Sequence, residues 1–226
     1  KLLYITFVRK EVKMMDNNKT VIYLVRHGQT EWNVEHRLQG HQDSPLTELG
    51  IKQAEWLGES IQNEQIDMIY SSSSLRARRT AEIIRGIRDI DIIDSHELKE
   101  IHLGIWEGKA MAEVKELDPE QFDRFWNDPD KFKVQGSETF QEVSDRAVNK
   151  LRQIISENQG KSVLIVTHTV VVKLIMAYFE ERPMKEIWSP PYIHPACLCK
   201  VEIETDKPKI VLHGDITHYK EEPDAS

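Results

Sequence analysis

Val21-Ile22-Tyr23-Leu24-Val25, running without a break into Arg26-His27-Gly28-Gln29-Thr30-Glu31-Trp32-Asn33, is the stretch that decides the fold. Five apolar residues in succession read as a strand buried on both faces. Ending such a strand on Arg, His and Gly brings a cation, an imidazole and an uncluttered main chain to one point, which suits a phosphate group. A guanidinium grips two phosphate oxygens at once, and a neutral ring nitrogen can attack phosphorus. Gly28, with no Cβ, is expected to let the backbone approach the ligand. Taken alone the tripeptide is weak, because a His after a strand is more often structural than catalytic.

Outward from that strand, short apolar runs alternate with stretches of helical periodicity, the pattern of an α/β protein whose mostly parallel sheet is covered on both faces. Strands are expected at 21–26, 66–70, 91–94 and 163–167. A helix should start at Thr47 and bury Ile51, Ala54, Leu57 and Ile61, and another after Ser74 should bury Ala77, Ala81 and Ile84. Glu138 to about Ser156 reads as a long helix with Phe140, Val143, Ala147, Leu151 and Ile154 inward. Thr169 to Phe179 reads as a very apolar one. Residues 104–136, with Pro119, Pro129 and an aromatic helical piece at Phe122, Phe125 and Trp126, read as a small helical cap insertion. Residues 196–204 and 209–213 read as a hairpin. The serines Ser71 to Ser74 read as a loop, or as small residues that let a helix N-terminus meet an anion.

The chain has 226 residues, enough for one sizeable core. Residues 1–19, which run into Met14-Met15 and a polar stretch, read as an N-terminal extension outside the core or as an added edge strand; 20–226 read as a single domain. A net charge of −8 argues against nucleic acid and anionic membranes as partners. No apolar run approaches the ~20 residues of a membrane span. Cys197 and Cys199, two apart in a strand, are expected as free thiols, and with no secretory signal pattern this favours the cytoplasm.

Ligands of open α/β sheets bind beyond the carboxyl ends of the strands. His27 ends one expected strand, Arg76 follows a second, Glu100 a third, and His168 ends a fourth. Four groups from distant segments thus meet at one sheet edge. Together they fit phosphoryl transfer: a neutral imidazole at phosphorus, cations on its oxygens, a second imidazole as donor, and a carboxyl to protonate the leaving oxygen. Repulsion from Arg26 and Arg76 should keep His27 unprotonated.

These motifs resemble the histidine phosphatase superfamily, also called phosphoglycerate-mutase-like. The resemblance is carried by Arg26-His27-Gly28 with Thr30, Trp32 and Asn33, by Arg76-Ala77-Arg78-Arg79-Thr80-Ala81, by Glu100 ahead of Gly104-Ile105-Trp106-Glu107-Gly108, and by Val166-Thr167-His168, and it spans roughly residues 21–215. It implies a three-layer α/β/α sandwich and a phosphohistidine at His27, with Arg26, Arg76 and His168 on the phosphate and Glu100 moving protons. It also implies substrate-side contacts at Asn33, Gln39 and Gly40. Thr169 stands where this family commonly has glycine, so a β-branched side chain is expected to narrow the pocket there.

The expected activity is metal-independent hydrolysis of small phosphorylated metabolites, with no metal or cofactor. Sugar phosphates, phosphoglycerates, nucleotides and a cobalamin-pathway nucleoside phosphate are all compatible with these residues. The alternatives are a cofactor-dependent phosphoglycerate mutase and an inactive member serving as a binding module. A mutase needs further cations for a second anionic end, yet Lys109, Lys115, Arg124, Lys131 and Lys133 come singly and Gln39 replaces the usual threonine. An inactive member would lack His27, Arg76 or His168. A metal-dependent hydrolase is disfavoured because His36, His41, His96, His102, His194, His213 and His218 are scattered and read as surface or structural. Of these, His102 could line the pocket beside Glu100. Trp106, Phe122, Phe125 and Trp126 read either as an apolar wall for substrate or as cap packing.

Overall fold

A computed structural model describes residues 19–205 and 207–221. The extension proposed at 1–19 lies outside the described residues except for Lys19, which opens the first strand. Six strands form one sheet: β1 (Lys19–Arg26), β2 (Met68–Ser72), β3 (Ile92–Ser95), β4 (Ser162–Thr167), β5 (Leu198–Glu204) and β6 (Lys207–Asp215), in the order β3-β2-β4-β1-β5-β6. The first four run parallel, while β5 and β6 are antiparallel additions at one edge. The continuous apolar runs predicted for β1 and β4 are the pair buried at the centre of the sheet.

The described residues form seven α-helices: α1 (Glu31–Val34), α2 (Glu48–Ser60), α3 (Leu75–Arg85), α4 (Met111–Leu117), α5 (Pro119–Asn127), α6 (Phe140–Glu157) and α7 (Thr169–Glu180). One face carries α2 and α3 over Val21, Tyr23 and Val25, and the other carries α6 and α7 over Ile22 and Leu24. Alternate β1 residues thus serve opposite cores, as a strand's two-residue period requires. Thr47 caps α2 through the Gly50 N–H, and a capping box between Thr139 and Glu142 starts α6 two residues later than the sequence pattern suggested. Ile51 is the exception on α2. It is only half-buried, because the buried stripe runs through Gly50, Gln53, Ala54, Leu57 and Ile61.

The helix after β1 lies on one face and the helix after β4 on the other, although the two strands are neighbours. Their carboxyl ends therefore flank a topological switch point, where a crevice opens. Above it stand the predicted cap, α4 and α5, and a second wall that sequence reading missed, the irregular segment 186–195 leading into β5. Among the described residues no helix is long and apolar enough to cross a membrane. Both cysteines are free and buried.

Candidate active site

Register places the two histidines together. Arg26 pairs with Thr167 across β1 and β4, so the next residues, His27 and His168, leave the sheet side by side, with ring centroids 5.2 Å apart. His27 Nδ1 lies 2.7 Å from the Gly28 carbonyl, which can only accept, so Nδ1 carries the proton and Nε2 holds the ring's lone pair. Nε2 in turn accepts from Arg76 Nε at 3.3 Å. The ring's pKa falls well below the imidazole range, through burial first and then through Arg76 and Arg26. Repulsion alone, the cause expected from sequence, is the smaller part. Gly28 also has a different use from the one expected. A Cβ there would sit 2.4 Å from the Gly50 carbonyl oxygen, so its bareness serves the close crossing of α2.

Arg76, at the start of α3, is almost fully buried. It donates to Gly40 O (2.9 Å), Gln42 O (2.6 Å) and Asp43 Oδ1 (2.7 Å). Asp43 also accepts from the Leu75 and Arg76 N–H groups. The α3 N-terminus is therefore occupied by the protein's own carboxylate and not left for an anion, as the serine run had suggested. Arg26 donates to Ile193 O at 2.7 Å, while its buried Nε has no partner.

Ser72 is what the serine run contributes. Its Oγ accepts from the Ser74 N–H and lies 2.7 Å from His168 Nε2. His168 Nδ1 is buried with no hydrogen-bond partner among the described residues; with the proton on Nδ1, Nε2 accepts from the Ser72 hydroxyl and Nδ1–H is left to donate to an anion. Glu100 reaches the same place from the turn after β3. Its carboxylate accepts from Ile101 N (3.0 Å) and Val170 N (3.3 Å), the latter at the start of α7. Burial pushes its pKa up, partly offset by those amides and by Arg76 and Arg26.

Arg26, His27, Arg76 and Glu100 line one cleft of about 580 Å³, together with Asn33, Gln39, Gly40 and Thr169. Asn33 Oδ1 is taken by Thr30 N–H and Oγ1, which leaves its amide nitrogen as the donor to offer. Gln39 donates to Thr30 Oγ1 and buries an unpaired Oε1. Gly40, at φ +52, turns tightly where a Cβ would strike Glu107. Phe125, Trp126, Trp188 and Tyr192 form the far wall, whereas Trp106 packs against Phe132 in the core and neither it nor Phe122 lines the cleft. His102 does not line it either; it meets His41 edge to face, and His41 Nε2 lies 2.9 Å from Glu100 O. His36 and His194, read as surface or structural, do line it. Lys173 is a further missed lining residue, a buried cation that donates to Ser189 O and Pro191 O and so ties down the 186–195 wall.

Comparison with known proteins identifies the family. The pattern described as "Histidine phosphatase superfamily (branch 1)" matches residues 22–216. Phosphoserine phosphatase 1 of Hydrogenobacter thermophilus is 33% identical over 168 residues, covering 74% of this chain and 80% of the relative. A probable phosphoglycerate mutase, GpmB of Salmonella choleraesuis, is 35% identical over 156 residues, covering 69% and 73%. The solved structure of Bacillus stearothermophilus YhfR superposes with a TM-score of 0.86 at 44% identity, covering 88% of this chain and 98% of that one. The chain belongs to the histidine phosphatase superfamily, branch 1, and is an enzyme of this phosphatase and phosphoglycerate-mutase-like kind.

Proposed function

We propose that the protein is a metal-independent phosphomonoesterase that acts on small phosphorylated metabolites through a phosphohistidine at His27. The observation that carries this reading is the tautomer: Nδ1 tied to Gly28 O leaves Nε2 unprotonated beside Arg76 at the floor of the cleft. Nε2 attacks phosphorus as the ester P–O bond breaks, and the Glu100 carboxyl gives its proton to the leaving oxygen. The carboxylate then takes a proton from water, which attacks the phosphohistidine; the N–P bond breaks and inorganic phosphate leaves. Arg26, Arg76 and His168 Nδ1–H balance the phosphate oxygens through both steps. Asn33, Gln39, Gly40 and Thr169 contact the phosphate or the ester carbon next to it.

A mutase would have to grip a second anionic end. The two cations on the cleft wall beyond the phosphate site, Arg37 and Lys173, are both engaged: Arg37 by Glu35 and Gly108 O, Lys173 by two carbonyls. This favours water over a second phosphorylated substrate as the acceptor. The test is p-nitrophenyl phosphate hydrolysis in EDTA, expected to proceed in the wild type and vanish in His27→Ala. Full turnover in that variant would refute the nucleophile. Phosphate release measured beside 3-phosphoglycerate isomerisation in 2,3-bisphosphoglycerate separates the two activities, and faster isomerisation would favour the mutase.

A further inference from the structure

Glu100 is held at two levels. Its carboxylate rests on two amides, while the main chain behind it is gripped by a side chain outside the cleft. Arg146, on α6, uses a full set of five donor contacts: Nε to Glu138 Oε1 (2.7 Å), one terminal nitrogen to Glu97 O (2.8 Å) and Lys99 O (2.6 Å), and the other to Glu100 O (2.9 Å) and Glu138 Oε2 (2.9 Å). Glu138 in turn accepts from His102 N at 2.8 Å and holds the guanidinium fork to fork. A purely structural pair would need no contact beyond its partner carboxylate, whereas three of these five acceptors are carbonyls of the turn that ends in Glu100. Neither Arg146 nor Glu138 lines the cleft.

We propose that Arg146, oriented by Glu138, is a positioning residue that sets where the Glu100 carboxyl meets the leaving-group oxygen. The inference rests on the acid role proposed for Glu100. Proton transfer tolerates little displacement, and a shift of roughly 1 Å costs on the order of 100-fold in rate. The effect must depend on the leaving group. p-Nitrophenolate departs with little help from an acid, while an alkoxide needs the proton.

The experiment measures kcat and KM of the full chain on p-nitrophenyl phosphate and glycerol 2-phosphate for the wild type, Arg146→Met, Arg146→Lys, Glu100→Gln and the Arg146→Met/Glu100→Gln double variant. Arg146→Met is expected to lower kcat/KM, which reports the step in which the ester bond breaks, on the order of 10- to 100-fold on the alkyl ester, with a smaller loss on the aryl ester. Arg146→Lys should fall between. The double variant should be no slower on the alkyl ester than Glu100→Gln alone, because the positioned group is already gone. Equal losses on both esters, or losses that multiply in the double variant, would overturn the proposal. If Glu100→Gln shows the leaving-group bias and Arg146→Met does not, positioning alone fails. If Glu100→Gln shows no bias, the acid assignment fails and takes this inference with it. Should Arg146→Met not fold, Arg146→Lys and Glu138→Gln carry the same comparison.

Discussion

The His27 and His168 rings meet edge to face, 5.2 Å apart, and burial followed by the Arg76 guanidinium holds both far below the imidazole range. In the proposed mechanism the two neutral imidazoles divide the work by tautomer: one offers a lone pair, the other an N–H. The Glu100 carboxyl is moved the opposite way, upward, by the same burial. One buried cleft floor thus pushes a base and an acid toward the two protonation states that the proposed phosphoryl transfer through histidine requires.

The pH dependence follows from these directions. The proposed mechanism needs His27 neutral and Glu100 protonated when the ester bond breaks. On an alkyl phosphate, kcat/KM should therefore hold below pH 6.5, where a free imidazole would be charged, and fall as pH rises through the raised Glu100 pKa. Glu100→Gln should remove the alkaline limb. Stability has its own sign. Below about 6.5 the unfolded chain takes up protons that the buried histidines refuse, so their contribution to stability is full above that value and declines as pH falls. A pH–rate profile and urea unfolding at several pH values check both, and an activity loss as pH falls through 6.5 would contradict the lowered His27 pKa.

Arg76→Lys should cost roughly 100- to 1000-fold in kcat/KM on p-nitrophenyl phosphate. A lysine ammonium cannot reach Gly40 O, Gln42 O, Asp43 and the His27 ring together, so both the phosphate site and the 40–43 loop lose their anchor. Orthovanadate inhibition should weaken in parallel. A variant with wild-type vanadate affinity would show that Arg76 braces the loop without binding the anion.

Gly28→Ala is expected to destabilise the fold by about 1–3 kcal/mol, as overpacking does, because the new methyl lies 2.4 Å from backbone that cannot swing away. Thermal melting checks this. An unchanged Tm would mean that α2 is free to retreat from β1.

The patterns legible in the sequence are those a segment carries within itself. The apolar runs of β1 and β4, the Thr47 cap and the identities of His27, Arg76, Glu100 and His168 could all be read in place. What escaped depends on partners far along the chain. Gly28 is bare for Gly50, and Arg146 is matched to carbonyls 46 to 49 residues away, which leave no side-chain signature. Asp43 reads as an ordinary loop acid until Arg76 and the α3 N-terminus arrive beside it. The wall at 186–195 lacks periodicity altogether, and its anchors Lys173 and Arg182 sit on or just after a helix that reads as uniformly apolar.

Trp188→Ala tests what that wall does. The indole donates to Phe125 O at 2.6 Å and packs on Trp126 with centroids 4.6 Å apart, so it joins the wall to the α5 cap while facing the cleft. If the aromatic face receives the substrate's body, its removal costs about 1 to 2 kcal/mol of contact, roughly a 5- to 30-fold rise in KM for 1-naphthyl phosphate. Glycerol 2-phosphate is too small to reach it and should keep its KM, and kcat should hold for both because the phosphate end is untouched. Steady-state kinetics on the two esters decides. A rise of the same size for both would mean that Trp188 shapes the phosphate end indirectly, and that the aromatic cluster is packing between cap and wall with no direct part in choosing the substrate.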